Sequence, residues 1–177
     1  MSVFRLQTLI SLSLLSVGIH LAPVPPTTMP MLMAQAQTAT PLISEAEVNA
    51  LLEQMKAAVK KRDAKALSSY FTPDATIEMH LPLVMGGKQT LDRDAYKDML
   101  SEGWKALENS NYTYTVKNIV IKLYPEKDRA LVSDETHESF ELAGKKVHSV
   151  AKENMLIVRH QGQLKVKVLK GKVKLNP

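Results

Sequence analysis

The chain of 177 residues contains no cysteine. Disulfide bonds, thiolate metal sites, thiol nucleophiles and anchoring through a lipidated cysteine are therefore excluded, and stability must come from packing. The sequence also lacks a phosphate-binding glycine loop, a serine-nucleophile elbow and a zinc-protease signature. Their absence removes the commonest enzyme classes that short motifs reveal.

Acidic residues are missing from the chain before Glu45, and this segment has the features of an export signal. An apolar run covers residues 6–21, which is shorter than the roughly 20 residues that a membrane span needs. Prolines follow, and then the small-x-small site Ala34-Gln35-Ala36, which suits signal peptidase. We expect a signal peptide over 1–36 that is cleaved after Ala36. The mature protein would then be periplasmic or secreted, with no membrane span. The alternative is that the segment is not cleaved and remains as an N-terminal anchor.

The remaining chain has the length of one domain, which we place at 44–177 after a flexible lead-in at 37–43. The net charge is +5, but no nucleic-acid-binding motif accompanies it, so no nucleic-acid partner is expected. Five lysines alternate with apolar residues near the end of the chain, which predicts the solvated outer face of an edge strand, where lysines block unwanted strand pairing; a surface for anionic lipid or polysaccharide is the alternative. They are Lys165, Lys167, Lys170, Lys172 and Lys174.

Helical patterns come first in the domain. Ser44 and Glu47 form a capping box, and apolar residues then recur at helical spacing as far as Val59. Asp63 caps a second, short helix that Pro73 ends, and Asp92 begins a long helix.

Strand patterns follow the helices. A first strand is predicted at 75–83 with a Gly86-Gly87 turn, and four period-two segments are predicted at 112–124, 130–142, 146–160 and 164–175. Helices followed by a long antiparallel meander predict an α+β fold. A curved sheet that wraps around the helices would leave a cavity at its open end.

Several segments of the chain resemble the nuclear transport factor 2 superfamily. They are the Arg62-Asp63 corner, 71–75 (FTPDA), 128–132 (DRALV) and the closing hairpin 156–166 (LIVRHQGQLKV). The resemblance implies a cone-shaped α+β domain in which a mixed, mainly antiparallel sheet wraps around N-terminal helices. The superfamily includes ketosteroid isomerases and SnoaL-like polyketide cyclases, some of which dimerise through the outer sheet.

The catalytic positions of ketosteroid isomerases carry over poorly to this chain. Their oxyanion-donating tyrosine falls at Met55, their proton-shuttling aspartate at Met79, and their second oxyanion donor near Asn154. Because a thioether neither transfers a proton nor donates a hydrogen bond, steroid-type isomerisation is not expected here.

Strand parity, counted from the inward-facing Ala130 and Val132, places Asp134 and Glu138 on the inner face. We expect Lys152 and Asn154 of the next strand to share that cavity with them. In an apolar pocket, a carboxylate beside a lysine acts as a base or a ligand clamp; the alternative is that these groups are solvated at the rim.

Three histidines are candidates for metal binding or acid–base chemistry. Parity predicts that His137 and His148 face opposite sides of the sheet, so no metal site is expected. His80, near the expected pocket mouth, is the candidate for proton transfer, and an exposed loop position is the alternative.

These patterns support three hypotheses about function. The first is a binding protein for a hydrophobic small molecule, without cofactor or clear catalytic set; the expected lining comprises Met55, Tyr70, Met79, His80, Trp104, Tyr112, Tyr114, Lys152 and Asn154. The second is a SnoaL- or dehydratase-type enzyme that uses His80, or Asp134 and Glu138, for acid–base chemistry. The third is an interaction module that forms a homodimer through an outer face on which Met155 and Ile157 lie beside charged residues.

Overall fold

The computed structural model describes residues 42–126, 128–142 and 144–176. Three α-helices, one 3-10 helix and six strands are present in these ranges. The helices are α1 (Glu45–Lys60), α2 (Ala64–Ser69) and α3 (Arg93–Ala106), with the 3-10 turn at Leu83–Met85; the strands are β1 (Phe71–His80), β2 (Lys88–Leu91), β3 (Thr113–Leu123), β4 (Arg129–Leu142), β5 (Lys145–His160) and β6 (Gln163–Asn176). The predicted signal peptide lies outside the described residues, as does most of the predicted lead-in. None of the helices within the described ranges is long and apolar enough to cross a membrane.

Helix α1 begins where the sequence predicts it. The Ser44 hydroxyl accepts a hydrogen bond from the Glu47 N–H, and the Glu47 carboxylate accepts one from the Ser44 N–H at 3.0 Å. This reciprocal capping satisfies amides that the first helical turn leaves free. The buried face of α1 carries Val48, Leu51 and Leu52.

Arg62 fixes the corner between α1 and α2. Its backbone is left-handed, with φ of 53°, and its guanidinium donates to the Leu107 carbonyl oxygen at 2.7 Å. The same guanidinium lies 5.0 Å from the centre of the Tyr112 ring. One side chain therefore ties the corner to the end of α3 and to the start of β3.

The strands form one mixed sheet in the order β2-β1-β6-β5-β4-β3. Only the β1–β6 pair is parallel, and the other neighbours are antiparallel. The basic strand β6 is therefore interior to the sheet, and its lysines do not protect an edge. An α+β fold with a six-stranded open sheet confirms the predicted fold class.

Three register shifts interrupt the sheet, one of them between Leu156 and Ile157 in the β5–β6 pair. The β1–β6 register shifts between Phe71 and Thr76, a segment that includes Pro73, which has no N–H to donate. The β3–β4 register shifts between Lys117 and Val120, and Asn118 adopts φ of 54° there. Such bulges increase local twist and bend a strand.

Two elements differ from the sequence prediction. Strand β1 begins at Phe71 rather than at residue 75, because the proline is accommodated in the register shift instead of separating helix from strand. Strand β2 was not predicted, since its four residues, KQTL, are too few for alternation to be recognised.

The helices pack against one face of the sheet, here called the inner face. Its strands contribute buried side chains to a single core cluster with the helices. On β5 this face carries Ala151, Met155 and Ile157, which are 7%, 3% and 0% exposed. The prediction that Met155 and Ile157 belong to an outer dimerisation surface is therefore wrong.

Candidate functional site

A cavity of about 390 Å³ lies between the helices and the inner face. Its walls are mainly apolar and include Leu52, Met55, Met79, Met99 and Trp104. Small-molecule sites have this size and character, with a few polar groups fixing orientation.

The polar side chains of the cavity are concentrated on β4 and β5. In the antiparallel register Asp134 lies opposite Glu153, and Glu138 lies opposite Ser149. All four line the cavity, as does Thr136, whose hydroxyl donates to Glu153 Oε2 at 3.4 Å. Three carboxyl groups therefore share one wall of an apolar chamber.

Burial raises the pKa of two carboxyl groups on this wall, and mutual repulsion adds to the rise for one of them. Burial raises the pKa of Asp134 to about 6, and nearby Lys56 opposes the rise. Burial also raises the pKa of Glu153 to about 8, and the charges of Asp134 and Glu138 add to the shift. At neutral pH, Glu153 is therefore mostly protonated while Asp134 is mostly ionised.

Glu138 is held by two hydroxyl groups. The Tyr112 hydroxyl donates to its Oε1 at 2.6 Å, and the Ser149 hydroxyl donates to its Oε2 at 3.0 Å. Burial raises the pKa of Tyr112, so this hydroxyl keeps its proton and remains a donor. Glu138 thus has both oxygens occupied, unlike Asp134, whose Oδ1 is buried and makes no hydrogen bond within the described part of the chain.

A glycine leaves room for one of the side chains that line the cavity. Gly171 of β6 lies opposite Glu153, and a methyl group at this position would come within 2.8 Å of the Met79 sulfur. The missing side chain leaves room for the Met79 thioether beside Glu153.

The cavity brings together most of the residues that the sequence singled out. Met55, Met79, Trp104, Tyr112 and Tyr114 line it, as do Asp134 and Glu138. Four of the nine predicted lining residues lie elsewhere, and Tyr70 and His80 are two of them. Tyr70 is the C-terminal cap of α2, and His80 is exposed on the face opposite to that of Met79, so neither borders the cavity.

The predicted inward orientation of Lys152 and Asn154 is wrong. Lys152 is exposed and pairs with Glu135 at 3.0 Å, and Asn154 accepts a hydrogen bond from Ser133 on the outer face. Their neighbour Glu153 faces the cavity instead. The residues MLIV at 155–158 are all apolar. Alternation alone therefore could not determine which residues of β5 face the cavity and which face outward.

His137 and His148 lie on the same outer face, contrary to the prediction, and both border a shallow depression there. Their strand partners are Val150 and Ser139 respectively. The described residues nevertheless contain no group of three or more histidine, aspartate or glutamate side chains arranged to hold a metal ion.

Solved structures share this fold at low sequence identity. A nuclear transport factor 2-like protein with a cystatin-like fold from Novosphingobium aromaticivorans matches with a TM-score of 0.58 and 14% identity, over 72% of this chain and 79% of that one. A hexachlorocyclohexane dehydrochlorinase, LinA type 3 from Novosphingobium barchaimii, matches with a TM-score of 0.58 and 16% identity, over 75% and 86%. A ketosteroid isomerase-like protein from Erwinia carotovora matches with a TM-score of 0.57 and 15% identity, over 75% and 96%.

No family model matches the chain, and no curated protein matches it in sequence. The structural likeness establishes the nuclear transport factor 2-like fold that the sequence motifs indicated. Identities of this size establish the fold alone.

Proposed function

We propose that the protein binds a small, mostly apolar molecule in the cavity between its helices and sheet. The observation that carries this proposal is a chamber of about 390 Å³ with apolar walls and its polar groups gathered on one side. Such an arrangement gives affinity through the apolar walls and orientation through the polar wall. The likeness in fold to a protein named as a hexachlorocyclohexane dehydrochlorinase supports the proposal of a small-molecule ligand.

Filling the cavity tests this proposal. Ala151 is buried on the inner face and lines the chamber, so Ala151→Phe should displace a neutral apolar dye such as N-phenyl-1-naphthylamine. We expect at least tenfold weaker dye binding, measured by fluorescence titration, with circular dichroism unchanged. Val150→Phe adds the same group on the outer face and should leave dye binding intact.

If Ala151→Phe fails to fold, Ala151→Leu provides the smaller obstruction. Equal dye affinity in wild type and a folded inner-face variant would refute a cavity ligand.

Acid–base catalysis is a second candidate, favoured by the pairing of Asp134 with Glu153. The two lie opposite each other, with the pKa of Asp134 raised to about 6 and that of Glu153 to about 8. A carboxylate base and a carboxylic acid then coexist near neutral pH, as elimination or dehydration beside a carbonyl requires.

This candidate predicts dehydration of a β-hydroxy carbonyl compound with a bell-shaped pH profile whose limbs lie near pH 6 and pH 8. Asp134→Asn should abolish turnover, and Glu135→Gln, on the outer face, should not. Turnover that survives Asp134→Asn would exclude this role.

A further inference from the structure

We propose that the cavity selects a lipophilic organic cation, an amine whose protonated nitrogen contacts the carboxylate of Asp134. This inference rests on the proposed binding function and specifies the chemistry of its ligand.

The first argument is the charge of the cavity. Asp134, Glu138 and Glu153 line it, whereas Lys56 is the one basic side chain among the described residues that do so. The Lys56 ammonium is already paired with Glu53 on the outside of α1, at 2.7 Å. The chamber therefore has more acidic than basic side chains, and a cationic ligand would favour their ionised forms.

The second argument is an open acceptor. Asp134 is only 7% exposed, and its Oδ1 has no hydrogen-bond partner among the described residues. A buried acceptor left without a partner is unfavourable, because it has lost its hydrogen bonds to water and gained none in the protein. An ammonium N–H reaching this oxygen would remove that cost, whereas a ligand offering only acceptors would not.

The third argument is the aromatic surface around the carboxyl groups. Trp104 and Tyr114 line the chamber together with Tyr96, which is buried. Aromatic faces attract cations in desolvated sites, and they also accept the apolar body of an amine.

Binding should depend on pH. The titratable or charged side chains that line the cavity with Asp134 are Lys56 of α1, Tyr96 of α3, Tyr112 and Tyr114 of β3, Glu138 of β4 and Glu153 of β5. Burial raises the pKa of each of these three tyrosines, so they stay neutral, and the carboxyl groups determine the response. Near pH 5 both Asp134 and Glu153 hold protons, and near pH 8 Asp134 is ionised; an amine that is protonated throughout should bind more tightly at pH 8.

The experiment compares two probes of the same shape, 1-adamantylamine and 1-adamantanol, by isothermal titration calorimetry on the full chain. In wild type at pH 8 we expect the amine to bind at least tenfold more tightly than the alcohol. Asp134→Asn should reduce that preference to less than threefold, and Glu135→Gln, on the outer face, should keep it. Titrations in buffers of different ionisation enthalpy should show proton release on amine binding, because a cation favours the ionised carboxyl groups.

The outcomes separate this inference from the function on which it rests. If both probes bind equally, the cavity binds apolar molecules but the cation inference is overturned. If neither probe binds and the apolar dye also fails, the proposed function itself is overturned. A preference that persists in Asp134→Asn would place the cation elsewhere and contradict the inference.

Discussion

The chemistry of the cavity depends on two carboxyl groups that face each other across neighbouring strands. Like charges directly opposite in an antiparallel pair are destabilising, and burial adds to the cost of ionising both. Asp134 and Glu153 occupy such positions in this sheet. Strand parity counted from Ala130 was sufficient to locate Asp134 and Glu138, because β4 has a clear alternation next to its core residues. Glu153 was missed because the apolar run that follows it is ambiguous.

The raised pKa of Glu153 predicts a pH-dependent stability. In the folded chain this pKa is about 8, whereas the pKa of a glutamate in an unfolded chain is about 4.3. Between these values the folded state holds more protons than the unfolded state, so the free energy of unfolding falls as pH rises. Glu153→Gln should flatten this fall and stabilise the protein at pH 8 by at least about 1.4 kcal/mol, the equivalent of one pKa unit. Urea unfolding at pH 5 and pH 8 measures the effect.

Glu135→Gln serves as the control for that prediction. Glu135 lies on the outer face, where Lys152 and Asn118 lower its pKa, so its removal should not flatten the fall at alkaline pH. In Glu153→Gln the free energy of unfolding should still fall somewhat with rising pH below pH 6, because the raised pKa of Asp134 contributes there. An unchanged slope between pH 6 and pH 8 would contradict the assignment to Glu153.

At the scale of elements, most of the fold could be predicted from the sequence. The predicted limits of β3 to β6 lie within one residue of the observed ones, because turns and alternation are local signals. The parallel pairing of β6 with β1 could not be predicted, since it joins the two ends of the domain and leaves no local pattern. That pairing gives β6 its central position.

A row of basic side chains crosses the outer face as a result. Lys88, His80, Lys172 and Lys152 are successive partners across β2, β1, β6 and β5. All four are exposed, and Lys152 has an ion pair with Glu135. The ion pair with Glu135 therefore offsets only part of the electrostatic repulsion among these basic side chains.

Replacing the central lysine should stabilise the sheet. Lys172→Glu places an acidic group between His80 and Lys152, and opposite charges in cross-strand pairs contribute about 0.2–1 kcal/mol. We expect a higher urea midpoint at low salt, and we expect 1 M NaCl to remove most of the gain. Lys174→Glu is the matched control, because Val150 lies opposite it. A gain of equal size in both variants would show that net charge, rather than the row, is responsible.

For the whole molecule, the sequence predicts export through a cleaved signal peptide. We propose that cleavage after Ala36 leaves a mature chain that begins at Gln37. Expression of the full chain in a bacterial host should yield periplasmic protein with that N-terminus, as determined by intact-mass spectrometry. Replacing Ala34 and Ala36 by Arg should block processing, and replacing Thr38 and Thr40 should not. Uncleaved, membrane-associated wild type would instead support the anchor alternative.

Self-association through the outer sheet remains a prediction, and the structure redefines its test. Ile157 is fully buried, so Ile157→Asp would disrupt the core rather than an interface. Leu156 lies opposite Leu131 and Val168 on the outer face. Leu156→Asp should lower a concentration-dependent mass in light scattering if copies pair there, and a mass that is monomeric at every concentration would exclude the dimer.

Gly171 bears on the size of the ligand that we propose for the cavity. A methyl group at this position would lie 2.8 Å from the Met79 sulfur, so the thioether, which lines the cavity, would have to shift. We therefore propose that the hydrogen atom of Gly171, in place of a methyl group, helps to set the largest ligand that the cavity accommodates. Homologues with alanine at this position should discriminate against bulkier guests without any change in the side chains that touch them.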